Sequence, residues 1–239
     1  MGQLLTGVTG ALGAHTLAQL TAQPHVGAVW ALIRASSDYA ASDRLEKSLQ
    51  TRSLTLSDSQ RGKVLALPCD LSRPDLGLSE SHIAELQSKL TTIIHSAWAV
   101  NFNISVQSFE DQHIKAVHNL IQLSLDVKTP QPAKFFFCSS VSSAGGTPRP
   151  GEVKESLVPS PAHAQHTGYA RSKYVAEHIT GNACKAGARA RVLRLGQLVG
   201  DTKVGEWNTT EGIPLMIQTA VTLGALPMLN EVSNIASMG

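Results

Sequence analysis

Tyr169 and Lys173 stand four residues apart in the run Gln165-His166-Thr167-Gly168-Tyr169-Ala170-Arg171-Ser172-Lys173. On a helix that spacing stacks a phenol and an ammonium on one face. A neighbouring positive charge draws a phenol's pKa down from about 10, so the pair has the chemistry of a proton donor. The same spacing also occurs on plain solvated helices, and the rest of the chain decides between the two. Ser140 adds a second hydroxyl at the end of the apolar run 134–138, with Ser139, Ser142 and Ser143 as alternates close by. A serine there would hydrogen-bond a carbonyl oxygen while Tyr169 donates a proton. Lys173 would lower the tyrosine pKa and hold a cofactor ribose.

A hydride source is suggested by Thr6-Gly7-Val8-Thr9-Gly10-Ala11-Leu12-Gly13. Gly7 and Gly10 permit a tight turn and close approach to a pyrophosphate, and Gly13 permits close packing of helix on strand. The loop opens a helix, whose N-terminal N–H groups and dipole favour an anion. At the end of the next apolar run stands Arg34. An acidic residue there would accept a ribose 2′-hydroxyl, whereas Arg34, with Arg44, suits a 2′-phosphate and therefore NADPH. Asp70 closes the third run and is a candidate for the adenine edge; a turn-forming aspartate is the other reading.

These residues need a scaffold that gathers them. Apolar, β-rich runs at 2–6, 26–33, 63–67, 92–95, 134–138 and 190–195 alternate with helical patterns after the glycine loop and at 38–52, 80–89 and 106–126, and around Tyr169. Alternation at this spacing predicts βαβ units: an α/β, Rossmann-type doubly wound parallel sheet with helices on both faces. Ligands then bind at the carboxyl ends of the strands. The stretch 142–161, rich in Pro, Gly and Ser, reads as a long loop rimming the site.

Composition narrows the class. The chain has 239 residues, 42% of them hydrophobic, and a formal charge of +2. That describes a globular protein without a polybasic block, and no nucleic-acid or membrane partner is expected. The three cysteines (Cys69, Cys138, Cys184) are widely spaced and read as reduced thiols. The histidines show no metal-ligand spacing, so no metal is expected, and no signal peptide is visible, which makes the cytoplasm the expected compartment.

With these motifs in place the chain resembles the extended short-chain dehydrogenase/reductase superfamily. Further stretches resemble the thioester reductase domains that end nonribosomal peptide synthetases, related fungal enzymes, and aminoadipate or carboxylic acid reductases. They are Ala31-Leu32-Ile33-Arg34-Ala35, Asp70-Leu71-Ser72, Ile94-His95-Ser96-Ala97, Leu193-Arg194-Leu195-Gly196-Gln197-Leu198-Val199-Gly200 and Gly205-Glu206-Trp207-Asn208. The resemblance implies NADPH bound by Thr6, Gly7, Thr9, Gly10, Ala11, Leu12, Gly13, Arg34 and Arg44. Asp70, Leu71, Ser96, Ala97 and Leu198, with Tyr169 and Lys173, would complete that site. Ser140, Tyr169 and Lys173 would reduce an acyl or peptidyl thioester on a carrier protein to an aldehyde, with further reduction to an alcohol left open.

The chain departs from the family in three places. Ser96-Ala97-Trp98 stands where Asn-Ala-Ala is common, and Leu195 replaces a proline. Family members also continue beyond Gly224-Ala225-Leu226-Pro227 into a substrate-binding subdomain that residues 231–239 do not resemble. The expected division is a nucleotide-binding domain at 1–200 and the start of an incomplete C-terminal substrate region at 201–239. A reductase or epimerase of a free carbonyl or nucleotide sugar, or an inactive nucleotide-binding fragment, are the competing readings.

Overall fold

Six strands form one parallel sheet in the order β3-β2-β1-β4-β5-β6, in a computed structural model that describes residues 1–148 and 150–226. In chain order they are β1 (Gly2–Thr6), β2 (Ala28–Ile33), β3 (Val64–Pro68), β4 (Leu90–His95), β5 (Lys134–Ser140) and β6 (Ala190–Leu195). The connecting helices are α1 (Ala11–Ala22), α2 (Asp38–Thr51), the short α3 (Asp58–Arg61), α4 (Glu80–Lys89), α5 (Lys115–Leu125) and α6 (Gly168–Lys185). After β6 comes α7 (Gly212–Leu223).

Period-two alternation sends neighbouring side chains to opposite faces of the sheet. Leu5, Val29, Ala31 and Ile33 pack with Leu17 of α1 and Leu45 and Leu49 of α2. Leu4, Trp30, Ile93, Phe135 and Phe137 pack on the other face with Leu86, Leu120 and Ala176 of α4, α5 and α6. Both faces are covered, which is why the strands read as continuous apolar runs. Each fully buried Leu or Phe there contributes about 1.5–3 kcal/mol.

Strand order reverses between β1 and β4, which leaves a crevice at their carboxyl ends. Thr6 is in register with Leu32 of β2 and His95 of β4, so the strand ends that bear the loops lie level.

The chain divides into two compact units, Met1–Leu195 and a second beginning at Gly196. In the second unit Asp201 N–H donates to the Glu206 carbonyl at 3.0 Å, closing a turn. Gln197 and Trp207 both donate to Glu211 Oε2, at 3.4 and 3.2 Å, just before α7. Gly224 ends α7 with φ of 67°, the left-handed geometry that glycine adopts most readily. Pro227 and residues 231–239, and Arg149 of the long loop, lie outside the described residues.

The expected helix at 106–126 is not one continuous α-helix. It runs as a 3₁₀ turn (Val106–Phe109), a π turn (Glu110–Ile114) and then α5. The aromatic neighbours account for this: Phe109 and His113 have rings 5.5 Å apart and both lie against Trp98. Matching two rings to one indole favours a local change of helical winding over ideal spacing. Helix α3 was not anticipated, although its Ser57/Gln60 capping box is a readable signal. The long loop is tied down at several points: Gly146 N–H donates to the His163 carbonyl at 2.7 Å, and Gln165 N–H to the Ser142 carbonyl at 3.0 Å.

Candidate active site

The glycine loop leaves β1 with Gly7 at φ of 78°, a conformation in which a side chain would be strained. A Cβ at Gly7 would fall 2.5 Å from Ser96 Oγ, and one at Gly13 only 2.1 Å from the Gly7 carbonyl oxygen. Gly10 is less confined, its nearest neighbour being that same oxygen at 3.3 Å. Gly10 is also the N-cap of α1 and offers no side-chain cap. The orphan N–H groups of that first turn are therefore left for an anion.

A cleft of about 330 Å³ opens where this loop meets the strand ends. Gly7, Thr9 and Gly10 line it from β1, and Arg34 and Arg44 from the β2 side. Asp70 and Leu71 follow β3, and Ser96 and Ala97 follow β4. Arg44 donates to the Arg34 carbonyl, which ties the two arginines together. Asp70 Oδ1 accepts from Ser72 N–H at 3.0 Å and Ser72 Oγ at 2.6 Å, so this carboxylate also shapes its own turn. An elongated, phosphate-bearing dinucleotide fits these residues. Glycine takes its backbone close, a helix N-terminus meets the pyrophosphate, and guanidinium groups stand at the far end.

Six of the anticipated cofactor residues in the first unit do not line the cleft: Thr6, Ala11, Leu12, Gly13, Tyr169 and Lys173. Ala11, Leu12 and Gly13 form the first turn of α1, where Gly13 acts through packing. Thr6 is fully buried. Its Oγ1 accepts from the N–H groups of Ser96 (3.2 Å) and Ala97 (3.1 Å), so its own proton goes to His95 Nδ1 at 2.8 Å. Thr6 thus locks the β4 loop, because the hydroxyl is fully used. The His95 proton then sits on Nε2, which has no hydrogen-bond partner. Burial holds the His95 pKa down at about 3. Leu198 belongs to the second unit.

Ser140, Tyr169 and Lys173 come together, with Ser140 hydrogen-bonded to Tyr169 and Lys173 lying near the Tyr169 ring and against Trp98. Thr167 caps α6 by accepting from Ala170 N–H at 3.1 Å, which starts the helix just before the tyrosine. A Cβ at Gly168 would fall 2.1 Å from the Ile104 carbonyl oxygen, so the first turn of α6 presses onto the loop after β4. The Tyr169 ring lies edge-on to Phe102 and Phe109, at 5.1 and 6.4 Å. One turn on, Lys173 is 3% exposed, and its Nζ donates to the Cys138 carbonyl at 2.6 Å. The ammonium lies 4.3 Å from the Trp98 ring centroid, 4.8 Å from that of Phe137 and 5.8 Å from that of Tyr169. Ser140 Oγ accepts from Ser142 N–H at 3.2 Å and Ser142 Oγ at 2.9 Å, which leaves its own proton available to donate.

The electrostatics differ from the expected sense. Tyr169 is raised above the ordinary phenol value by burial, with a hydrogen bond from Ser140 opposing the shift. Lys173 is itself lowered to about 7 by desolvation, against the pull of the Cys138 thiol and Glu177. Burial rather than the lysine's charge therefore sets the phenol's pKa, and the buried phenol keeps its proton at neutral pH.

Trp98 and His113 also line the cleft and were not anticipated as site residues. Trp98 both lines the cleft and packs on Lys173, and its Nε1 donates to Ser172 Oγ at 3.2 Å. Its signal was the bulky residue in Ser96-Ala97-Trp98. His113 is lowered to about 4, mainly by burial. Among the described residues no group of three or more His, Cys, Asp or Glu side chains could hold a metal, and no helix is long and apolar enough to cross a membrane.

Known proteins resemble this chain over nearly its whole length. An adenylate-forming reductase, Nps10 of Heterobasidion annosum, is 40% identical over 227 residues, which are 94% of this chain and 20% of that protein. The 3-methylorcinaldehyde synthase of Sarocladium schorii is 34% identical over 95% of this chain and 9% of its own length. Among solved structures, the terminal R domain from the myxalamid PKS-NRPS biosynthetic pathway superimposes with a TM-score of 0.84 at 26% identity. That match covers 95% of this chain and 57% of the solved one. The chain thus spans a fifth or less of these curated relatives and just over half of that R domain. The family described as male sterility protein, an NAD-binding domain (NAD_binding_4), matches residues 5–238, and the chain belongs to it.

Proposed function

We propose that this chain is the nucleotide-binding and catalytic part of an NADPH-dependent reductase that converts a carrier-bound acyl thioester to an aldehyde. The reading is carried by the placement of Lys173, one turn after Tyr169 on α6, against Trp98, whose ring also lines the glycine-loop cleft. Arg34 and Arg44 in that cleft favour the 2′-phosphate of NADPH over the bare ribose of NADH. The Sarocladium relative is named as an aldehyde synthase, which supports the product class. The partner proposed is an acyl or peptidyl carrier protein presenting its phosphopantetheine thioester.

Bound NADPH supplies a hydride to the thioester carbonyl carbon. Ser140 donates a hydrogen bond to the carbonyl oxygen and steadies the negative charge that grows there. Tyr169, kept protonated by burial, gives its proton to that oxygen. Lys173 stands one turn below and favours transient charge on the phenolate. The resulting hemithioacetal loses the carrier thiol as its C–S bond breaks, and the aldehyde remains.

The test is to offer acyl-pantetheine and acyl-carrier thioesters with NADPH and to follow absorbance at the nicotinamide band alongside aldehyde trapping. Thioester-dependent oxidation with one aldehyde per NADPH is expected. Oxidation with free ketones but none with thioesters would sink the reading.

A further inference from the structure

One buried charge beside the trio has no part in proton transfer. Glu177 is 0% exposed and lies one helical turn beyond Lys173 on α6. Its Oε1 accepts from Ser139 Oγ at 2.5 Å, and the Ser143 hydroxyl lies 2.5 Å from the same oxygen and 2.7 Å from the Ser140 carbonyl. Arg194 of β6 grips both carboxylate oxygens, with Nε at 3.1 Å from each and a second nitrogen 2.7 Å from Oε2. That second nitrogen also donates to the Ser156 carbonyl of the long loop at 3.0 Å. One carboxylate therefore joins the end of β5, the turn after it, α6, β6 and the loop.

A buried ion pair is a poor source of stability, because desolvating both charges offsets most of their attraction. Its value is geometric. Residues 139 and 143 bracket Ser140, and both hydroxyls converge on Glu177. The backbone that carries Ser140 is thereby pinned on both sides.

We propose that Glu177, held by Arg194, is the positioning residue of this site: it fixes the β5 corner so that the Ser140 hydroxyl meets the substrate carbonyl. The inference rests on the reading of Ser140, Tyr169 and Lys173 as the reacting groups. The same carboxylate puts a fixed negative charge one turn from Lys173. The groups that bear on this amine are Glu177 and Tyr169 on α6, the Cys138 thiol on β5, His95 on β4 and His113 on the π turn. Glu177 and Cys138 support its protonated form, while burial opposes it.

The test compares wild type with Glu177→Gln and with the double variant Glu177→Gln/Arg194→Met, which leaves no unpaired charge if the single variant does not fold. Lys173 is titrated by carbon-detected NMR of its ε-methylene in the chain without cofactor. Turnover is measured with NADPH and an acyl-pantetheine thioester. Loss of the carboxylate charge lowers the Lys173 midpoint by about one pH unit. It lowers kcat about 10- to 100-fold, with NADPH affinity within a few-fold, as misplacement of a reacting group does. An unchanged Lys173 midpoint in the folded variants overturns the inference. So does kcat within about twofold of wild type where wild type is active. If wild type reduces no thioester, the functional reading fails and the Lys173 titration still judges Glu177.

Discussion

Lys173 lies over the Trp98 ring, its ammonium 4.3 Å from the indole centroid. The indole shields the amine from water, and burial is the leading cause of its lowered pKa of about 7. Trp98→Leu opens this wall. The Lys173 midpoint is expected to rise toward the ordinary lysine value by about one unit, and stability to fall by about 2 kcal/mol. NMR titration and chemical denaturation check both; a midpoint that stays near 7 would show that the indole does not keep water from the amine.

The glycine positions differ in tolerance. Gly13→Ala places a methyl 2.1 Å from the Gly7 carbonyl oxygen and forces the phosphate loop to move. NADPH affinity is expected to drop about 100-fold or more, whereas Gly10→Ala, with 3.3 Å of space, loses about tenfold or less. Fluorescence titration of the two variants measures the contrast, and equal losses would count against the cradle.

Cofactor choice rests on the arginines. Replacing Arg34 by Ser, alone and with Arg44→Ser, should weaken NADPH by about 10- to 100-fold while NADH changes little. If both cofactors weaken together, the guanidinium groups do not face a 2′-phosphate.

Tyr169→Phe keeps the ring that packs on Phe102 and removes only the proton. Reduction is expected to fall by at least about 100-fold, with NADPH binding preserved within a few-fold. Full activity in this variant would assign proton donation elsewhere.

Acid sensitivity follows from the two buried histidines. His95 and His113 are lowered from 6.5 to about 3 and about 4. Between about 4 and 6.5 the unfolded chain binds protons that the folded chain refuses, so stability rises with pH across that window. The contribution is complete above about 6.5 and is lost on acidification. His113→Asn is expected to flatten the slope of urea stability against pH in this range, and a slope equal to that of wild type would remove His113 from the account.

Much of this protein was legible from sequence because local chemistry sets it. The apolar runs became β1 to β6 within a few residues, since strands buried on both faces need unbroken apolar stretches. The glycine loop is equally local: Gly7 must take a positive φ, and its position between a strand and a helix can be counted along the chain. The i,i+4 spacing put Tyr169 above Lys173 without any reference to the fold.

Tertiary structure decided what those residues experience. Lys173 loses its solvent to Trp98 and Phe137, which come from two different strand ends, and burial rather than the lysine's charge governs the Tyr169 phenol. Thr6 was consumed by the β4 loop, and the helix expected at 106–126 rewound to seat Phe109 and His113 on the indole. Glu177 stood in plain sight four residues past Lys173, but its partners Ser139, Ser143 and Arg194 meet it only across the packed sheet. Desolvation and long-range pairing depend on which surfaces the fold brings together, and no spacing along the chain encodes them.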